Sequence, residues 1–483
     1  MSHVLAFDLG GSSLRLAIVS ADGTFLGSVR KPLKIGGYGK SRFEVDPMTW
    51  WTAFVSGCAE LAGMGHDFSD IQAVTGCGFT RTQVFLDQAG NSIRPAITFQ
   101  DSRSAETLAE IRADASAPVR NATEQLSPYD PLARLLWLKA QEPDSWARLS
   151  KIIEPKDFVN LMLTGIAASD TISQTPMTRA LGESGNNVLD VLNINPEILP
   201  GSHSPFATLG AVRQGLPYPL SALVDVPVHC GSIDTWSCVL GSGALVAGVA
   251  YSISGTSDVF GVMADTRHTA EGLLSVEWGP ALWQLGGPSQ GAATRLQWAM
   301  ERFLPGADLE TSLDEALASD EPAPLFLPYL DGERTPWWDP DLRGAFLGLS
   351  TAHGSADMVR GVAEGMNYLS REILSRAEQA TGTGVSHICF SGGLAGNPAL
   401  CQLKADVLDR PVHVPKNRET GLMGAALIPH RLLTETGAVD VDSDVYEPNP
   451  GRRSYHDTRF SIFQSSSATI KQISHQLSKS AKI

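Results

Sequence analysis

Val4-Leu5-Ala6-Phe7-Asp8-Leu9-Gly10-Gly11-Ser12-Ser13-Leu14-Arg15-Leu16-Ala17-Ile18-Val19 decides how this chain is read. An apolar run reaches a carboxylate, turns through two glycines and two hydroxyls, and resumes as an apolar run. β-Formers on both sides of a glycine-rich tip predict a hairpin. Gly10, Gly11, Ser12 and Ser13 carry small side chains, so the tip amides can close around an anion without a lysine. Asp8 stands at the rim. Facing phosphates, it would act through a divalent cation, because two anions do not otherwise sit together.

The second half repeats the form: Tyr251-Ser252-Ile253-Ser254-Gly255-Thr256-Ser257-Asp258-Val259-Phe260-Gly261-Val262-Met263. Laying Gly10-Gly11-Ser12 over Gly255-Thr256-Ser257 puts Ile253 opposite Asp8, so only the first turn carries the rim carboxylate. A repeat about half a chain away predicts two related halves facing each other across a cleft.

With 483 residues, 43% of them hydrophobic, the chain can bury two cores of ordinary size. A net charge of -15 argues against nucleic acid and anionic membrane surfaces as partners. It does not argue against ATP, which amides, dipoles and magnesium handle locally. Cys58, Cys77, Cys230, Cys238, Cys389 and Cys401 show no CxxC spacing and read as reduced, mostly buried thiols. The N-terminus enters a strand without a basic region ahead of an apolar signal core. No uncharged run approaches the ~20 residues of a membrane span. A soluble, cytoplasmic, two-domain protein is expected.

Along the chain, Asp46-Pro47 predicts a helix start, with Trp50, Trp51, Phe54 and Cys58 at helical spacing as core. Ile71–Gly76 reads as a strand into a loop. Pro95–Phe99 is a short strand ending at Gln100-Asp101-Ser102-Arg103, where α/β clefts collect ligands. Helices are expected within 128–150 and from Pro155 to Thr164, and only loops and short helices over 182–227. Val226–Cys230 reads as a strand emptying into Gly231-Ser232-Ile233-Asp234, with a small-residue helix following. Strand His387–Phe390, the turn Ser391-Gly392-Gly393 and a helix after Asn397-Pro398 form the arrangement that aims a helix N-terminus at a nucleotide. Three segments result: 1–246, 247–435, and a peripheral or frayed 436–483.

Asp234 is the acid/base candidate. Transferring a γ-phosphoryl group to an alcohol needs a carboxylate to take the hydroxyl proton, plus donors and a metal to spread the phosphate charge. An aspartate before a helix is also a common N-cap. Its place between the two hairpins favours the chemical role.

These motifs, taken in order, resemble the FGGY family of carbohydrate kinases, within the sugar-kinase, actin and heat-shock ATPase fold. The similarity is greatest to its xylulokinase branch. It is carried by Asp8-Leu9-Gly10-Gly11-Ser12, Glu154-Pro155-Lys156-Asp157-Phe158, Gly231-Ser232-Ile233-Asp234, Ser254-Gly255-Thr256-Ser257, Gly332-Glu333-Arg334-Thr335-Pro336 and Ser391-Gly392-Gly393. The resemblance implies an α/β protein of two ribonuclease-H-like domains with an interdomain cleft closing on ATP and a polyol or ketose. It implies Asp234 as general base and Asp8 at the Mg2+-linked position. Gly10, Gly11, Ser12, Ser13, Gly255, Thr256 and Ser257 would hold phosphates, with Gly286 and Gly287 near them. Gly392, Gly393 and Asn397 would lie on the adenosine side. Homodimers are common in such kinases.

Two departures bear on the acceptor. The family usually has threonine where Gly11 stands. The Met-His pair of xylulokinases is replaced by Thr80-Arg81, in a loop expected to read the substrate together with Asp101 and Asp234. An arginine there can pair bidentately with vicinal hydroxyls or a carboxylate. D-Xylulose leads the expected acceptors, followed by D-ribulose, erythritol-type polyols and gluconate. A non-catalytic sugar sensor on the same fold is the alternative of another class.

Overall fold

The opening stretch folds as two antiparallel strands, β1 (His3–Leu9) and β2 (Ser13–Val19), in the computed structural model. Val4 to Phe7 are all buried, which is why the run is apolar throughout instead of alternating. All residues are described except 1–2, 39–40, 115, 125, 179–187, 308, 319–321, 432–438 and 481–483. The chain forms two units: Met1–Cys238 with Gly421–Glu435, and Val239–Thr420 with Thr436–Ile483.

In the first unit, β3 (Phe25–Pro32) extends the hairpin and α1 (Pro47–Gly63) follows, with the Asp46 side chain capping Met48 N. Trp50, Trp51, Phe54 and Cys58 of α1 are buried, so this aromatic stripe is core. Next come β4 (Ile71–Gly78), α2 (Pro131–Gln141), α3 (Pro155–Thr164), β5 (Thr208–Ala211), β6 (Pro227–His229), β7 (Ser232–Ile233) and α4 (Asp234–Gly241). The sheet order is β5-β6-β4-β1-β2-β3, with β7 also on β4. β1, β6 and β7 all run parallel to β4. Their C-terminal ends therefore lie along one edge, where open α/β sheets bind ligands.

The second unit repeats this plan. Its elements are β8 (Ala250–Ser254), β9 (Asp258–Ala264), β10 (Leu274–Gly279), β11 (Leu282–Pro288), α5 (Ala293–Phe303), α6 (Ser355–Thr381), β12 (Ile388–Ser391), α7 (Pro398–Leu408), β13 (Val412–Pro415), β14 (Ser443–Tyr446) and α8 (Arg453–Ser480). The order is β10-β11-β9-β8-β12-β13-β14, with β8, β12 and β13 parallel and β8–β9–β11 antiparallel. In both units a three-stranded antiparallel meander borders parallel strands, which is the ribonuclease-H-like α/β arrangement.

The structure departs from four expectations. The units change over at Cys238, inside α4, rather than at 246/247. Gly421–Glu435 returns to the first unit because Leu422, Ala425 and Ala426 pack against Val4, Ala6, Ala17 and Val19; the expected boundary at 435/436 lies outside the described residues. The segment 436–483 is not peripheral, since Phe460 and Phe463 of α8 enter the core with Tyr329 and Tyr368. The stretch 182–227 also supplies a sheet strand, β5. All six cysteines are free thiols. Among the described residues no helix is long and apolar enough to cross a membrane.

Candidate active site

At the ligand edge of the first unit, Asp8, next to last in β1, stands directly across from Arg15, whose Nη1 lies 3.8 Å from Asp8 Oδ2. Between β1 and β2, Gly10 N donates to Ser13 O at 2.9 Å and Leu33 N to Ser12 O at 2.8 Å. The amides of Gly11 and Ser12 have no main-chain partner among the described residues, and Ser12 is exposed. Such unpaired tip amides suit an anion.

The parallel register then brings two acids to one wall. Cys77 of β4 pairs with Asp8 on one side and with Ser232 of β7 on the other, two residues before Asp234. The Cys77 thiol lies 3.5 Å from Asp8 Oδ1 and 3.7 Å from Gly421 O. Burial pushes this thiol far up, reinforced by Asp8, Cys238 and Asp234, so it stays neutral between the two carboxylates. Gly231 makes the geometry feasible. At φ 67° it breaks the chain sharply between β6 and β7, and a Cβ there would stand 1.8 Å from Gly76 O.

Asp234 opens α4 and is half-buried. Its Oδ1 accepts from Thr235 N (2.6 Å) and Thr235 Oγ1 (3.1 Å), while Oδ2 has no hydrogen-bond partner among the described residues. Burial raises its pKa against the opposing pull of Thr235. A carboxylate with one free oxygen and enhanced basicity is equipped to take a proton.

Behind β7 lies a buried charge network from the Glu154–Phe158 motif. Lys156 pairs with Asp157 and, at 2.9 Å, with Asp170. Asp170 Oδ1 accepts from Ser232 Oγ at 2.7 Å, tying the network to the strand that carries Asp234. Burial alone would depress the Lys156 ammonium, but Asp157 and Asp170 hold it well above its ordinary value.

The expected acceptor loop divides. Arg81 adopts φ 58°, held by Glu154, which accepts from its N–H at 3.1 Å, and by Arg134, which donates to its carbonyl. Glu154 also lies against the Thr80 side chain, and burial raises its pKa well above the usual range. The exposed Arg81 guanidinium forms no ion pair among the described residues. Asp101 is different. It is wholly buried, and its oxygens are taken by Arg103 Nε and Nη2 at 2.7–3.0 Å, by Arg103 N, and by Phe43 N. The expected sugar contact at Asp101 is thus corrected: no oxygen is left to accept from a hydroxyl. Its neighbour Phe99 is 41% exposed, stands edge-on to Phe79, and lies beside Gly11. Phe99 and Arg15 border these groups although neither is among the expected site residues. Period-two alternation across the hairpin could have found Arg15, and an aromatic at a strand's polar end could have found Phe99.

In the second unit, Gly255 N donates to Ser257 O (2.9 Å), and Ala292 N and Ala293 N donate to Thr256 O and Gly255 O. This leaves the Thr256 and Ser257 amides without a main-chain partner among the described residues. Gly392, at φ 90°, lets β12 turn against this hairpin, since a Cβ there would be 2.5 Å from Ser254 O. Gly393 borders open space. The Gly332–Pro336 motif is a lock: Glu333 accepts from Arg295 Nη2 (2.6 Å) and Gln290 N (2.6 Å), and Arg334 donates to Ser289 O.

Three of the positions expected on the nucleotide side have structural roles of their own. Gly286 and Gly287 lie inside β11, paired with Gly261 and Phe260 of β9. Cβ atoms on them would strike Phe260 O and Thr335 Oγ1 at 2.2 and 2.4 Å, so strand packing by itself requires glycine at both positions. The Asn397 side chain caps α7 through Leu400 N and donates to Asp314 at 2.8 Å, so both its polar atoms have protein partners.

Comparison with known proteins matches residues 3–241 to the N-terminal domain, and 250–430 to the C-terminal domain, of the FGGY family of carbohydrate kinases. A xylulose kinase of Lactococcus lactis is 26% identical, with 99% of each chain covered. One of Staphylococcus epidermidis is 28% identical, with 98% of each covered. The crystal structure of a xylulose kinase from Lactobacillus acidophilus superposes with a TM-score of 0.87 at 21% identity, covering 99% of this chain and 100% of that one.

Proposed function

The chain belongs to the FGGY family of carbohydrate kinases, and from that premise we propose that it phosphorylates a terminal hydroxyl of a small ketose or polyol, with D-xylulose as the leading acceptor and D-xylulose 5-phosphate as product. The observation that carries this reading is Asp234: half-buried, one oxygen free, and sharing a wall with Asp8. Curated relatives matched over nearly their whole length are xylulose kinases, which supports the choice of acceptor.

In this proposal Asp234 takes the proton of the acceptor hydroxyl as its oxygen attacks the γ-phosphorus and the bond to ADP breaks. Unpaired amides of Gly11 and Ser12 receive phosphate oxygens beside Asp8, and those of Thr256 and Ser257 offer an anion site of the same kind within their own unit. Gly392 and Gly393 border the nucleotide. The residues around Asp8 fit Mg2+, which is usually held by one or two carboxylates plus substrate phosphates. Gly421 keeps the space open, for a Cβ there would stand 3.0 Å from Asp8 Oδ2. Bound there, Mg2+ would neutralise phosphate charge. Phe99 offers an apolar face to the acceptor's carbon chain.

ADP release should be measured with D-xylulose, D-ribulose, erythritol and D-gluconate, for the wild type and Asp234→Asn. The reading expects acceptor-dependent turnover that falls at least a thousandfold in Asp234→Asn. An unimpaired variant, or ATP turnover independent of every acceptor, refutes it. The free Arg81 guanidinium favours a second reading, an acidic acceptor, in which D-gluconate would outrun the neutral sugars.

A further inference from the structure

Asp258 introduces a difficulty into the second hairpin. It follows Ser257 directly, so a carboxylate stands beneath a loop whose proposed ligand is a polyanion. Asp258 is only 9% exposed, and its charge cannot be dissipated into solvent. Its surroundings resolve the conflict. Oδ1 accepts from Ser254 Oγ at 2.7 Å and from Ser252 Oγ at 3.0 Å, and Oδ2 from Ser370 Oγ at 3.4 Å. The Asp258 backbone is pinned as well: its N–H donates to Ser289 Oγ (3.3 Å), and its carbonyl accepts from Ser289 N (2.8 Å).

One cation answers it. Lys404, on α7, is 4% exposed and donates to Ser252 Oγ at 3.1 Å, the same hydroxyl that donates to Asp258. Its ammonium lies 4.7 Å from the centre of the Phe390 ring. Burial lowers the Lys404 pKa, and Asp258 opposes that shift. Lys404 and Asp258 line one small cavity of about 30 Å³, between β8, β9, α6 and α7. An interior lysine and an interior aspartate bridged by one hydroxyl offset each other's charge, while Arg295, which lines the same cavity, is paired with Glu333. The first hairpin contains no counterpart: Ser13 stands where the second has Asp258, and its own acid, Asp8, lies at the rim.

We propose that Asp258 and Lys404 are positioning residues for nucleotide binding. Asp258 fixes the tip of the second hairpin through Ser252, Ser254 and Ser289, and Lys404 cancels the charge that this bracing places beneath the phosphates. The inference rests on the kinase reading of the hairpin but not on the identity of the acceptor.

The test is ADP binding by titration calorimetry, together with separate KM values for ATP and acceptor. Lys404→Met leaves Asp258 uncompensated below the polyanion and should weaken ADP, and raise KM for ATP, on the order of tenfold. The acceptor KM should not move. The double variant Asp258→Asn/Lys404→Met removes both charges and should return ADP affinity to within about threefold of wild type. If Lys404→Met does not fold, Lys404→Gln, which keeps a donor for Ser252, should show the same loss. ADP affinity unchanged in the single variant overturns the proposal, whatever happens to the melting temperature. A double variant as weak as the single one also overturns it. Wild-type protein that fails to bind ADP would instead refute the underlying kinase reading, and the proposal with it.

Discussion

Replacing Asp101 by alanine separates a substrate contact from a structural ion pair. Asp101 lies on the short segment that follows Phe99, fully buried, with the Arg103 guanidinium forked across both its oxygens. Deleting one member of a buried pair typically costs ~3–5 kcal/mol, because the survivor is left uncompensated. Here the survivor is not wholly stranded. Arg103 still donates to Glu44 Oε1 at 2.6 Å and stacks 4.7 Å from the Trp137 ring centre. The lower end of the range, ~3 kcal/mol, is therefore expected. For a unit of this size ~1 kcal/mol moves a melting temperature by about 2–4 °C, which gives a fall of roughly 6–12 °C. Thermal unfolding and acceptor kinetics should be measured on the same preparations. The structure expects a large fall in melting temperature, with the acceptor KM of the folded fraction changed only a few fold. A variant that melts like wild type while its acceptor KM rises a hundredfold would show that Asp101 binds substrate.

Other perturbations give equally specific outcomes. Asp234 has a raised pKa and must be ionised to accept a proton, so the acid limb of kcat/KM should lie above the ordinary aspartate range, with activity lost as pH falls through it. Thr235→Ala removes a bond that lowers this pKa, so the limb should move to higher pH; a downward move refutes the assignment. Phe99→Ala should raise the acceptor KM several-fold and shift stability by less than ~1 kcal/mol, as the ring is already exposed; steady-state kinetics and melting check both. Gly421→Ala places a Cβ 3.0 Å from Asp8 Oδ2 and should raise the Mg2+ concentration needed for half-maximal rate, read by titrating Mg2+ at fixed ATP.

What could be read from residues alone was whatever depends on short-range pattern. The apolar run broken at Asp8-Leu9-Gly10-Gly11 dictates a hairpin, and its repeat at Ser254–Ser257 dictates a second sheet of like order. Asp46-Pro47 and Pro155 to Gly165 delimit helices because caps and prolines act locally. Asp234 was legible for a similar reason: a β-run, a glycine and an acid are consecutive. The errors share a different cause. Whether a polar group is available depends on partners that sequence does not bring near. Asp101 and Asn397 have the right chemistry for ligands, yet Arg103 with Phe43 N, and Leu400 N with Asp314, already use it. Gly286-Gly287 is a glycine pair that sequence alone does not place in a strand, and sheet order pairs it with Gly261 and Phe260. Lys404 shows the converse. In isolation it is one lysine on a helix, and only the fold sets it beside Ser252, 152 positions earlier in the chain. Motifs therefore identify which residues are chemically able to act, and burial with hydrogen-bond saturation decides which are free to. By that criterion Asp234, with one oxygen unclaimed, is the strongest candidate for the base, and Asp101, with both oxygens claimed, is the weakest candidate for a substrate contact.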